Sequence, residues 1–504
     1  MASRRDELNA YTFAKKRLVS AFLQPSPTGT EEGAPSPLRA VLPGVIVGVV
    51  VLAGFGAWGM FKPKAPNGWD NPGEKVIIGS KSTTRYVVLE TKGKKQLHPV
   101  LNLASAKLLL DPKKFDIVKV DEKVLDSGRI PHGATLGIPY APDRLPEAGE
   151  ATKAKRWAVC TQPGDDGAQK AVFVLADRDE GKVEGRNRLR GGEVMYVRGP
   201  GDKLHIIDRN GTAYPIAADG ALLRLVVGNT EPQDVTEDWL RTFEQGDEIR
   251  FPTLDSAQIG QPAGAAGNLD AEANRIGMVL RASSGAGLQH YVVLRGQVRP
   301  VTDFMAKLLL NSPQATRLGQ QGQARNVNAG AIQPGDTFYG SSLNWPEEVA
   351  RTVNLAGSGR DTLCNVLRDV DEKKGTTELS TWAGDNYPAT LPNGATNAYV
   401  TPGSGLLFRQ VKGQDTGSGG VFLVTDTGLR YAVQANTDSG QDESEIGTDG
   451  KKKDPEQALQ EGNQAQIRLG YEDAQPVPVP ATWSGFLPTG PRLSTSAAKQ
   501  PQGS

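Results

Sequence analysis

Residues 97–110 read LHPVLNLASAKLLL and residues 298–310 read VRPVTDFMAKLLL, with the run AKLLL identical at 106–110 and 306–310. In each, a short strand-like stretch ends at a residue suited to cap a helix, Asn102 in one and Thr302 or Asp303 in the other, and an apolar helix follows. Asp111-Pro112 and Pro313 then stop the helices, because proline has no N–H with which to continue them. Two further apolar runs precede each copy, at 75–78 and 85–89 before the first and at 277–281 and 290–294 before the other. The same order recurs in VMYV (194–197), LHIID (204–208) and AYPI (213–216), followed by Asp219, ALLRLVV and a stop at Gly228-Asn229. It recurs again in LLFRQV (406–411), GVFLV (420–424) and LRYAV (429–433), where a polar insertion at 436–453 displaces the helix to DPEQALQ (454–460).

The repeated unit is a three-stranded meander with one helix over its apolar face. Three strands alone are marginal, and the helix supplies the second layer of a core. The spacing of the copies is unequal, which argues against a solenoid and for four small α+β units hung on something else. RWAVC (156–160), AVFVLA (171–176) and DTLCNVLRDV (361–370) lie between copies and supply it. Cys160 and Cys364, the two cysteines of the chain, fall in these runs. If the runs pair, the thiols meet and staple a central sheet, and closing so long a loop stabilises by roughly 4–5 kcal/mol at most.

Residues 40–61, AVLPGVIVGVVVLAGFGAWGMF, carry no charge. As a helix they extend ~33 Å, matching a hydrocarbon core of roughly 30 Å. They are too long, and too far along the chain, for a cleaved signal, so an uncleaved single span is expected. Trp58 suits an interfacial position, and Gly44 and Gly48 give a weak helix-contact spacing. The leader carries Arg4, Arg5, Lys15, Lys16, Arg17 and Arg39, against Lys62, Lys64 and Lys75 beyond the span. The positive-inside rule therefore puts the leader in the cytoplasm and about 440 residues outside. A sparse, even cysteine count in an exported region agrees with one disulfide.

Within the leader, Ser3 and Asp6 have the spacing of a helix start, and Leu8, Tyr11, Ala14, Leu18 and Phe22 follow at three- and four-residue steps. Lys15, Lys16 and Arg17 lie mostly off that face. Leu8, Tyr11, Leu18 and Phe22 are the candidate partner-docking residues, the alternative being a basic helix lying in the plane of membrane lipid. At the other end, PVPVPATWSGFLPTGPRLS (476–494) reads as extended along the surface, with Trp483 and Phe486 as anchors, and STSAAKQPQGS (494–504) as disordered.

Lys+Arg and Asp+Glu both total 57, so the basic excess of a nucleic-acid binder is missing. No GxxxxGK[ST] phosphate loop occurs; Gly93-Lys94 and Gly450-Lys451 read as solvated turns. Pro402-Gly403-Ser404-Gly405 lacks the first glycine of a nucleophile elbow and reads as a hairpin turn. His98, His132, His205 and His290 have no metal-binding spacing and read as surface or edge residues. No catalytic residue, metal ligand or cofactor is expected.

RRDELNAYTFAKKRLVSAFL (4–23), GTEEGAPSPLR (29–39), the span, LHPVLNLASAKLLL, YVTPGSGLLF (399–408), LPTGPRLS (487–494) and the cysteine pair together resemble the EccB family of the actinobacterial type VII (ESX) secretion system. The resemblance covers essentially the whole chain. It implies a cytoplasmic helix, one pass through the cell membrane, and an extracytoplasmic body of four repeats around a central disulfide-linked domain. It also implies assembly with the ATPase EccC, with EccD and EccE, with the mycosin protease, and with further copies of the chain. The expected function is a non-catalytic scaffold of the secretion channel; the alternatives are a cell-wall-binding module and an envelope ATPase. The expected divisions are leader 1–39, span 40–61, linker 62–74, first repeat 75–150, centre 151–190 and 351–398, second repeat 191–260, third repeat 261–350, fourth repeat 399–475 and tail 476–504.

Overall fold

The computed structural model describes residues 3–23, 38–61, 65–164, 167–255, 257–285, 287–392, 397–433, 446 and 464–502. The insertion at 436–453, apart from residue 446, and DPEQALQ (454–460) lie outside them. Two helices, Arg4–Leu23 and Leu38–Phe61, precede the body. Val41–Gly59 is long and apolar enough to cross a membrane, and none of it is buried against the rest of the chain.

Among the described residues the body holds five sheets. In the first repeat, Lys75–Gly79, Arg85–Thr91 and Lys94–Pro99 form the meander. Its second turn is made by Lys92 and Gly93, both left-handed (φ 51° and 76°), as a two-residue hairpin demands. Helix Leu103–Leu109 follows, capped by Asn102, whose Oδ1 accepts from the Ser105 N–H at 2.9 Å. The second repeat repeats this order with Glu193–Arg198, Leu204–Ile207, Thr212–Pro215 and helix Gly220–Val226. In the third, Val279–Ser284, Gly287–Leu294 and Gln297–Val301 precede helix Asp303–Leu310, and Thr302 rather than Asp303 is the cap. In the fourth, Gly405–Val411, Val421–Thr425 and Arg430–Ala432 precede helix Gln464–Leu469.

Each unit is more than a meander and a helix. After the helix the chain returns as a fourth strand parallel to the first: Asp116–Val120, Gln233–Asp234, Arg325–Asn326 and Val477–Pro480. A helix crossing one face delivers the chain to the sheet edge, where a parallel strand can add. Val477–Pro480 corrects the reading of the proline-rich segment. VPVP is an edge strand of the fourth sheet, lying past the boundary expected at 475, and its prolines are tolerated because an outer edge needs no N–H. Trp483 is an anchor deeper than expected, 1% exposed in the core.

The fifth sheet is the centre. Its order is Thr377–Gly384, Thr362–Val370, Arg156–Gln162, Gln169–Leu175 and Ala398–Val400, so strands from both sides of the second and third repeats pair. Cys160 and Cys364 stand directly opposite one another on antiparallel neighbours and are bonded, with Cα atoms 4.0 Å apart. Strand alternation sends Trp157, Val159 and Leu363 to one face and Ala158, Cys160 and Cys364 to the other. The disulfide face packs on Phe173, Val183 and Trp382. The opposite face shares a core with Met195 and Trp239 from the second repeat side and with Phe408 and Trp483 from the fourth. Trp239 also donates its indole N–H to the Val159 carbonyl at 3.0 Å.

Packing then runs outward on both sides. Phe304 and Leu308 of the third repeat join Leu222 and Val226 of the second, and Val76 and Leu108 of the first join Leu407, Tyr431 and Leu469 of the fourth. The order of contact is third, second, centre, fourth, first, so the sequence-distant ends of the body lie together. The tail fixes this joint. Against the expectation of disorder, Thr495–Ala498 is a helix capped by Ser494, and Gln502 donates its backbone N–H to Thr135 of the first repeat at 2.8 Å. Buried hydroxyls with local partners make such a polar stretch compatible with a core.

Candidate functional site

The leader begins with reciprocal bonds: the Asp6 N–H donates to the Ser3 carbonyl at 2.7 Å, and the Ser3 N–H to Asp6 Oδ2 at 3.2 Å. Helical geometry sets Leu8, Tyr11, Leu18 and Phe22 within about a quarter of the circumference. All four are open, from 66% exposed at Leu8 to 88% at Phe22, so nothing else in the described chain covers the stripe. Lys15 falls inside the stripe, while Lys16 and Arg17 fall outside it. An apolar face of this kind needs lipid or a protein to cover it.

The joint between first and fourth repeats is built by two cations that cap each other's helices. Lys107 Nζ donates to the Leu469 carbonyl at 3.1 Å, and Arg468 donates to the Leu108 and Leu110 carbonyls at 3.3 and 2.7 Å. These carbonyls are the orphan acceptors at a helix end, where positive charge is favourable. Burial pushes the Lys107 ammonium below its ordinary pKa. Lys107, in the first of the two AKLLL runs, is therefore part of an interface between units.

Two histidines depart from the surface reading. His98 is 1% exposed and His205 8%, because each points from a strand into the layer that covers its sheet. His98 Nδ1 lies 2.8 Å from the Ala134 carbonyl, which fixes the proton there, and its Nε2 is enclosed without a partner among the described residues. Burial lowers the pKa of both below the ordinary 6.5, outweighing the backbone bonds to Ala134 and Lys203 that raise it. The unfolded chain then binds more protons below pH 6.5, so this stability is present above that value and lost as pH falls toward the lowered pKa values. The melting temperature of the chain should fall on acidification below about pH 6.5, and His98→Asn/His205→Asn should flatten the slope. An equal slope in the variant would contradict this.

His290 and His132 meet Asp303 and Asp126 at 2.8 and 3.6 Å as single pairs. Among the described residues no group of three His, Cys, Asp or Glu side chains is placed to hold a metal. Residues 402–405 are not a hairpin turn: they cross from the central sheet to the fourth repeat, with Ser404 buried and its hydroxyl donating to the Thr401 carbonyl at 2.7 Å. Gly450-Lys451 lies outside the described residues.

Residues 1–503 match the family described as "Type VII secretion system ESX-1, transport TM domain B". A relative in Mycolicibacterium smegmatis, named "ESX-3 secretion system ATPase EccB3", is 26% identical over 467 residues, covering 86% of this chain and 83% of its own. A chain in the structure of an intact ESX-5 inner membrane complex has the same fold, with a TM-score of 0.59 at 19% identity, covering 100% of this chain and 96% of its own. A chain in the structure of an EccB3 dimer from the ESX-3 core complex matches with a TM-score of 0.56 at 20% identity over 84% of this chain and 99% of its own. An exposed apolar span and leader, four repeats and a stapled centre thus meet in one chain that belongs to the EccB family of type VII secretion membrane components.

Proposed function

We propose that this chain is a structural, non-catalytic subunit of a type VII secretion membrane complex, with its leader in the cytoplasm and its body on the outer side. The observation that carries the reading is the family match across residues 1–503. The leader's basic residues support the orientation. Partners of the kinds implied by the sequence, the EccC motor with EccD and EccE, fit a leader whose apolar stripe is uncovered; further copies of the chain fit the EccB dimer seen for the relative.

Relatives carry the word ATPase in their names. The chain has no phosphate loop, and its body would face a compartment poor in ATP. Purified full-length chain in detergent is expected to show no nucleotide turnover above a buffer control. Turnover abolished by a point change within the chain would overturn the non-catalytic reading.

The leader gives a second test. Burying a Tyr or Phe side chain is worth about 1.5–3 kcal/mol each, so Tyr11→Ala/Phe22→Ala should weaken docking by at least about tenfold. Lys15→Gln/Lys16→Gln/Arg17→Gln should matter less. Native gels of membrane extracts compare the two; normal assembly in the aromatic variant at equal membrane level would show that the stripe does not dock a partner.

A further inference from the structure

We propose that the cleft where the centre, the second-repeat side and the C-terminal segment meet binds an acidic peptide segment of a partner, with Arg430 as its principal contact. The cleft has a volume of ≈ 820 Å³, a size suited to a short stretch of peptide, and it lies at a junction between units, where binding sites commonly form. Its wall is mixed, the half-buried Phe486 and Pro488 standing among Asn397, Thr482 and Thr489, and its charges are Lys170, Arg241 and Arg430 with one acid, Asp238.

The cations are not equivalent. Lys170 Nζ lies 3.8 Å from Asp238, and Arg241 pairs with Glu237. Arg430 has no ion pair among the described residues, and burial alone lowers its pKa. Its Nε is enclosed without a hydrogen-bond partner among the described residues; one terminal nitrogen reaches Thr489 Oγ1 at 3.4 Å; and the guanidinium sits 5.6 Å above the Phe422 ring. A partly buried guanidinium with unused donors is costly, and a carboxylate is the acceptor that matches its fork. The wall selects among carriers of negative charge. A phosphate ion would use the arginine and leave the half-buried Phe486 uncovered, whereas a peptide alternating acidic and apolar residues uses both. Lys170, 5.7 Å above the Phe486 ring, adds charge of the same sign at the mouth.

The test uses full-length chain in detergent micelles and a fluorescein-labelled heptapeptide alternating Asp or Glu with Leu or Phe, followed by anisotropy. Saturable binding is expected, weakened at least about tenfold by Arg430→Gln and by exchanging the peptide's acids for amides. Thr482→Trp, which fills the cleft without removing charge, should weaken it as well, and melting curves check that each variant folds. Inorganic phosphate as competitor should leave the peptide bound. Absent binding, equal affinity for Arg430→Gln, or full displacement by phosphate would each overturn the proposal.

Discussion

Truncation after Arg492 is expected to release the first repeat from the fourth. The lost segment contains Leu493, Ser494, Thr495, Ser496 and Ala498, all buried, and Leu493 is 0% exposed. Leu493 pairs with Val433, and Pro501 with Leu136, so the segment bridges the two units through backbone as well as side chains. Burial of one leucine is worth about 1.5–3 kcal/mol, and the whole segment at least about 3 kcal/mol. Amide exchange in helix Leu103–Leu109 should therefore quicken by about two orders of magnitude while the central sheet stays protected. Unchanged exchange in that helix would show that the reciprocal caps of Lys107 and Arg468 hold the joint without the tail.

The second large effect concerns the staple. Cys160→Ala/Cys364→Ala removes a bond that closes a separation of 204 residues, and the chain-entropy model assigns such a loop roughly 5 kcal/mol. The paired strands Arg156–Gln162 and Thr362–Val370 remain able to form, so the effect is on the unfolded state and the fold itself is expected to persist. Melting of the centre should drop well below that of the outer repeats. Both sulfurs are in residues of 0% exposure, so added thiol reductant should act only as the centre opens. A double variant melting as the native chain does would contradict the staple's role.

What the sequence disclosed follows from how strongly each element is written in side chains. The meanders were legible because runs such as HYVVL and GVFLV are β-branched and bounded by turns, and the helices because Asn102, Asp219 and Thr302 cap them. The cysteine pairing was legible because each lies in an apolar strand. The return strands were not: Gln233–Asp234 and Arg325–Asn326 are two residues long, with no periodicity to read, and their position is dictated by the helix that precedes them. The tail misled because Ser494, Thr495 and Ser496 look solvated and are buried by a repeat nearly four hundred residues upstream. His98 misled in the same way, its burial being set by the 131–134 loop. The leader's stripe was legible as a helical face, but nothing among the described residues covers it, so its occupant could not be read from the chain. Arg430 carried no sequence signal, since only the fold shows that it has no ion pair among the described residues.

The central claim is that the chain works by holding a membrane complex together. Its most direct test is purification of the tagged, full-length chain from native membranes in mild detergent, with mass determination of the particle and identification of the chains within it. A large assembly containing more than one copy of this chain together with the EccC motor and the EccD and EccE subunits is expected. Recovery of the intact, membrane-inserted chain as a lone monomer under conditions that keep those subunits associated with one another would contradict it.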